Sequence, residues 1–386
     1  MTISEKKYGT APGGEDIFLY TIEATAGVKL TFCNIGAAIV SICIPDKNGK
    51  AEDVVLGYDN LLYYIGDGPC FGKIPGRVAN RIEGGRFELN GKTYTLPINN
   101  GPNHNHGGNN GYANRIWKSK IDAAGVLFTL TAPDGDDGYP GAVQVQVRYK
   151  WVEGGDCDQN KGADCALHGH VDGQQNAGEN IGKLIIELSG NSADATVLNL
   201  TNHAYFNLKG EGNGLITDHI LKLAASRYLP TDETLIPTGK LASVAGTPMD
   251  FTKDATIGSR MEEEFPALRY GKGYDACWAV DNWNGNPSIN DCSGNGSVKC
   301  VAELSSKESG RKLNVYSDQP GVIIYTGNWL GGCNEGKKGH VYTDYSGVAI
   351  ECQKFPAAPN RPSFPSIVLQ KGERYANNIV FEFATV

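Results

Sequence analysis

Short runs of β-branched and aromatic residues, each cut off by Gly, Asn, Asp or Pro, set the first limit on this fold. Val28-Lys29-Leu30-Thr31-Phe32 and Ala38-Ile39-Val40-Ser41-Ile42 are such runs, and Pro45-Asp46-Lys47-Asn48-Gly49 ends the second. Ala142–Trp151, AVQVQVRYKW, starts with a strict period of two and reads as a half-buried strand. Further strands are expected at Ile17–Tyr20, Val126–Thr131, Lys183–Ser189, Ala195–Leu200, Lys222–Ala225, Lys312–Ser317, Val322–Thr326, Gly347–Gln353 and Ile379–Phe383. The best helical pattern, Ser259–Leu268, is too short to cross a parallel sheet, and Asn60–Ile65 offers one or two turns. The fold class that remains is all-β, a large antiparallel β-sandwich or barrel. No linker and no internal repeat divides residues 1–386, so a single domain is expected.

The densest stretch is GRVANRIEGGRFELNGKTYTLPINNGPNHNHGG, from Gly76 to Gly108. Arg86–Leu89 and Lys92–Leu96 flank Asn90-Gly91, and alternating residues around Asn-Gly predict a tight hairpin. That hairpin lies between Asn80-Arg81 and His104-Asn105-His106, and could bring Arg81 and His106 near each other. A surface hairpin with polar flanks would explain the same residues, although loops on rigid scaffolds often carry function.

Composition removes some function classes. Charged residues are 20% of the chain, apolar residues 40%, and the net charge is −8. An acidic balance argues against a nucleic-acid partner. No apolar run approaches the roughly 20 residues of a membrane helix. The N-terminus, MTISEKKYGTAPGGED, has no signal-peptide core, so a cytoplasmic protein is expected. The cysteines pull the other way. Cys157 and Cys165 bracket seven residues, as do Cys292 and Cys300, and both pairs sit in polar insertions near 153–182 and 282–300. Disulfides closing these loops would imply an extracellular setting. His168 and His170 follow Cys165, but the spacing matches no zinc pattern, so no metal is expected.

Three polar spots adjoin apolar strands: Asn80-Arg81 with His106, His203 after Leu198-Asn199-Leu200, and Glu351 within GVAIECQ. A carboxylate buried in such a strand needs a partner or a raised pKa. Facing water, Glu351 would be an ordinary outward strand residue, and His203 alone would pass for a core or turn histidine. Asp275 and Gln319 read as turn residues. A His and a carboxylate across a concave sheet would supply a general acid and a general base. No Gly-x-Ser-x-Gly, phosphate-binding loop or dinucleotide fingerprint supports another reaction.

Together these segments resemble the aldose 1-epimerase (galactose mutarotase) family. The similarity is carried by GRVANRI, FELNGKTYTL, HGG, DGYPG at Asp137–Gly141, NLTNHAYFNL at Asn199–Leu208, YLPTDETLIPTG, TPMDF, QPGVIIYTGNWL at Gln319–Leu330 and GVAIECQKFPAAPN at Gly347–Asn360. It covers most of residues 30–375, in order. The Cys-bracketed insertions, the second histidine His104, and Ala276-Cys277 after Asp275 depart from the usual pattern. The resemblance implies a β-supersandwich with an open sugar cleft, no metal or organic cofactor, and interconversion of the anomers of a free hexose such as galactose or glucose. It implies Glu351 as the base at the C1 hydroxyl and His203 as the acid at the ring oxygen. Arg81 and His106 would hold the sugar, with Asn80, Asp275 and Gln319 as hydroxyl ligands. The partner would be a small sugar alone, on a monomer or homodimer. Two other readings stay open. A phosphosugar epimerase would draw on Arg77, Arg81, Arg86 or Arg361, and a glycoside hydrolase would pair Asp275 with Glu351. A non-catalytic sugar binder of the same fold is a further alternative.

Overall fold

A computed structural model describes residues 1–154, 179–283 and 298–386. The chain forms a five-stranded, a nine-stranded and a six-stranded sheet with three two-stranded ribbons. Every pairing between these strands is antiparallel, as the turn-punctuated sequence requires. The middle of the nine-stranded sheet is built from Val143–Glu153, Asn180–Ser192 and Arg374–Thr385. The alternation of AVQVQVRYKW survives as alternating burial along Val143–Glu153. The hairpin also forms as expected, with Arg86–Leu89 against Lys92–Thr95. Asn90 and Gly91 both take positive φ, 52° and 75°, which suits the twist of a two-residue hairpin turn.

The six-stranded sheet positions the site. It comprises Tyr205–Phe206, Val348–Gln353, Gly321–Tyr325, Asp275–Ala279, Arg227–Tyr228 and Ala242–Ser243, in that order. Directly opposed residues of an antiparallel pair share a face, and neighbours along a strand alternate. One face therefore carries Phe206, Val348, Ile350, Cys352, Val322, Ile324, Ala276 and Trp278. All eight lie in one core with Val145, Leu184, Ile186, Phe381 and Phe383 of the nine-stranded sheet. Phe206 meets Phe381 edge-on at 5.1 Å. Each such side chain, fully buried, contributes about 1.5–3 kcal/mol. The opposite face carries Tyr205, Tyr325, Asp275 and Glu351.

Some expected boundaries move. The helix predicted over Ser259–Leu268 is split into a 3-10 turn, Ile257–Arg260, and a short α-helix, Pro266–Gly271. Pro266 lacks an N–H and fits the first helical turn, so it starts a helix there rather than continuing one. The strand expected at Ala195–Leu200 forms a ladder only at Thr196–Val197, with a single parallel bridge from Asn199 to Val78 beyond it. Beyond it Leu198 N donates to Ile367 O and Asn199 N to Arg77 O, which are not ladder partners. Glu153 pairs with Gly182, so strand runs into both ends of the loop expected at 153–182. Cys157, Cys165, His168, His170 and Cys292 lie outside the described residues. Among the described residues no helix is long and apolar enough to cross a membrane.

Candidate active site

Glu351 sits in Val348–Gln353, a strand with all six residues buried. The register places it opposite Ile323, one alternation away from the row Tyr205–Ala349–Tyr325–Asp275. His203 reaches the same face from the segment before Tyr205. Its backbone is fixed on both sides: His203 N donates to Lys73 O and Gly72 N to His203 O, each at 2.9 Å. The other polar residues of NLTNHAYFNL tie that segment down. Thr201 Oγ1 donates to Cys352 O at 3.0 Å, and Asn202 Nδ2 donates to Gly72 O at 2.9 Å. Asn199 exchanges two bonds with the Lys354 backbone, each 3.1 Å. His203 Nε2 ends 3.5 Å from Glu351 Oε1.

The ribbon that flanks the hairpin, with the residues beside it, closes the other wall. The ribbon Arg81–Ile82 with His104–Asn105 places His106 beside Asn80. Asn80 N donates to His106 Nδ1 at 3.2 Å, which leaves the ring proton on Nε2 as a donor. The His106 and His203 rings stand 5.3 Å apart. Gly107 is obligatory: its φ is +83°, and a Cβ there would lie 1.8 Å from Gly76 O. Arg81 is aimed by Asn100, whose Oδ1 accepts from Nε at 3.0 Å, and by Asp275, 3.4 Å from its terminal nitrogen.

Asn80, Arg81, His106, His203, Asp275 and Glu351 all line one cleft of about 730 Å³. Gln319, expected beside them, does not line it. Its amide is turned onto the buried Asp318 carboxylate, with Nε2 2.6 Å from Oδ1. Arg77, held open as a phosphate ligand, is buried elsewhere and donates to Pro140 O, Gly141 O and Thr196 Oγ1. His104 is also structural, taking the Tyr139 hydroxyl at 2.7 Å. Arg361 binds Glu83 and Pro237 O. Among the described residues Arg81 is the only cation lining the cleft, facing Glu233, Asp275 and Glu351. No group of three His, Cys, Asp or Glu there is disposed to hold a metal.

Sequence reasoning missed the aromatic walls. Tyr205 packs on His203 at 4.9 Å, and Tyr325 stands 5.9 Å from Tyr205. Tyr205 was signalled by its place two residues after His203. Trp329, 66% exposed at the cleft rim, was signalled only by its place in QPGVIIYTGNWL.

Burial sets the electrostatics. It pushes the Glu351 carboxyl up to about 8; the nearby Asp275 adds to the rise and Arg81 opposes it. Burial also brings His203 down to about 4. His106 is held well below its ordinary value, by burial first and then by His203 and Arg81. Between about 4 and about 8, then, the Glu351–His203 pair holds one proton. In that range the proton resides on Glu351, and His203 is the neutral imidazole 3.5 Å away. One shared proton gives one acid and one base.

Known proteins resemble this chain along nearly its whole length. The profile of the family described as aldose 1-epimerase matches residues 19–158 and 179–382. Rat galactose mutarotase is 38% identical over 385 residues, covering 100% of this chain and 99% of its own length. The aldose 1-epimerase of Escherichia coli K12 is 32% identical, with 97% of each chain covered. An aldose epimerase homologue from C. elegans superposes with a TM-score of 0.77 at 31% identity, covering 95% of this chain and 98% of that one. Galactose 1-epimerase from Lactobacillus acidophilus gives 0.76 at 26% identity, over 99% and 98%. The chain belongs to the aldose 1-epimerase family of isomerases.

Proposed function

We propose that this chain interconverts the α and β anomers of free hexoses, galactose and glucose among them, with Glu351 and His203 as the reacting pair. The carrying observation is the approach of His203 Nε2 to Glu351 Oε1, 3.5 Å, on the floor of a polar cleft. At rest the pair's single proton is on Glu351, the group of higher proton affinity, and ring opening proceeds from the minor form in which it is on His203 and Glu351 is the carboxylate. Glu351 takes the proton of the C1 hydroxyl, His203 gives its own to the ring oxygen, and the C1–O5 bond breaks. The open-chain aldehyde turns about C1–C2. Closure on the other face of the carbonyl returns each proton to its source and leaves the pair as it began. His106, with Nε2 as donor, and Arg81, aimed by Asn100 and Asp275, hold the sugar so that both transfers are in reach. Asn80 and Asp275 complete the hydroxyl ligands.

The lack of any lining cation besides Arg81 among the described residues favours free sugars over phosphosugars. The close His203 also favours epimerisation over hydrolysis by Asp275 and Glu351, because a hydrolase would leave His203 without a task. The cleft draws on residues from Gly68 to Glu351, which supports reading the chain as one domain.

The test is polarimetry on fresh α-D-galactose, corrected for spontaneous mutarotation, with binding followed by calorimetry. Glu351→Gln and His203→Asn should each lower kcat by about 10²–10⁴-fold while sugar still binds. The double variant should be far less than multiplicatively worse, since the two act as a unit. Near-wild-type turnover in Glu351→Gln would overturn the mechanism.

A further inference from the structure

The two oxygens of the Glu351 carboxyl have different surroundings. Oε1 faces His203 Nε2 at 3.5 Å, whereas Oε2 is buried with no hydrogen-bond partner. A buried carboxylate oxygen ordinarily has a donor, because leaving it unpaired costs free energy. The ladder explains the missing donor. The residue directly opposite Glu351 is Ile323, and the next in that row is Cys277. Ile323 is 1% exposed and packs in an apolar cluster with Cys277, Leu229 and Phe355. Directly opposed side chains in an antiparallel pair have Cβ atoms about 5 Å apart. The position directly across the ladder from Glu351, on the same face, is thus filled with hydrocarbon.

We propose that Ile323 is a positioning residue for the anomerisation, which keeps Oε2 of Glu351 without a donor and so maintains Glu351 as a strong base. This rests on the reading of Glu351 as the proton acceptor. A carboxylate that accepts hydrogen bonds is a weaker base, because the bonds stabilise its charged form. With isoleucine at 323 that stabilisation is withheld, and the carboxylate gains strength without a change in its contact to His203.

The other titratable groups around Glu351 are contributed by several elements. His203 and Tyr205 come from the segment before and within the first strand, and Cys70 from the loop ahead of Lys73. Arg81 lies on the ribbon it forms with Asn105 and opposes the rise in basicity, while Asp275 supports it. Cys277 stands one strand beyond Ile323, Tyr325 shares the face, and Cys352 neighbours Glu351 in sequence. All of these residues are kept when residue 323 is replaced, and the leucine variant controls for any repacking among them, Cys277 above all.

The experiment compares Ile323→Gln, which brings a donor at similar volume, with Ile323→Leu, which brings none. Two readouts are used: the pH profile of kcat/KM on galactose, and an NMR titration of 13C-carboxyl-labelled glutamate, with Glu351→Gln identifying the resonance. In Ile323→Gln the Glu351 titration and the alkaline limb should both move down by about one pH unit or more. Ile323→Leu should leave both where the wild type has them. An unmoved resonance in folded Ile323→Gln, or an equal shift in Ile323→Leu, would overturn the proposal. If the glutamine variant does not fold, Ile323→Thr, which adds a hydroxyl within a smaller volume, carries the same two outcomes. Full activity in Glu351→Gln would refute the base assignment instead, and the NMR titration would still read the effect of residue 323.

Discussion

Changing pH alone discriminates sharply between a buried, shared-proton pair and two independent groups. Ring opening needs one base and one acid, so activity follows the fraction of protein whose Glu351–His203 pair holds a single proton. With Glu351 pushed up to about 8 and His203 down to about 4, that form dominates between those values. Above about 8 the pair loses its last proton and has no acid; below about 4 it gains a second and has no base. kcat/KM should therefore be level across neutrality and fall about tenfold per pH unit beyond each limb. Unperturbed groups would behave otherwise. With Glu at about 4.3 and His at about 6.5, the form with a free carboxylate and a charged imidazole would peak near about pH 5.4 and be down roughly tenfold by about pH 7.5. The assay is polarimetric kcat/KM on galactose well below KM, from about pH 3.5 to 9.5, with the uncatalysed rate subtracted at each pH. A maximum near about pH 5.4 with that tenfold loss by about pH 7.5 would refute burial as the origin of the pair's proton affinities.

Two further outcomes test the surroundings. Arg77→Met would strand the carbonyls of Pro140 and Gly141 and the Thr196 hydroxyl, all buried with it. Urea unfolding should show a loss of about 3–5 kcal/mol, and a loss under about 1 kcal/mol would mean that these groups find other partners. Glucose 6-phosphate should be turned over at least about 10²-fold less efficiently than glucose, because like charges brought together cost several kcal/mol. The phosphate would enter a cleft in which, among the described residues, the single lining arginine is already held by Asp275. A higher kcat/KM for the phosphate would reverse the substrate assignment.

Local pattern alone determined a good part of this protein. Asn90-Gly91 specified its hairpin because both residues tolerate positive φ. The period of two in AVQVQVRYKW specified a half-buried strand. A carboxylate in GVAIECQ required either a partner or a raised proton affinity, and Glu351 has the second. The motif segments held Asn80, Arg81, His106, His203 and Glu351, and the family resemblance added Asp275; all six line the cleft. What they left open depends on pairing between distant segments. Asp275 faces Tyr325 and Ile323 faces Glu351 only because three strands far apart in sequence meet in one register, and a slip of one residue would turn each to the other face. The same non-local contacts sent Gln319 onto Asp318 and Arg77 onto the carbonyls of Pro140 and Gly141, and left Arg81 in the cleft. An arginine's fate depends on which acceptors surround its guanidinium, and those acceptors are supplied by tertiary packing, not by the residues beside it in the chain.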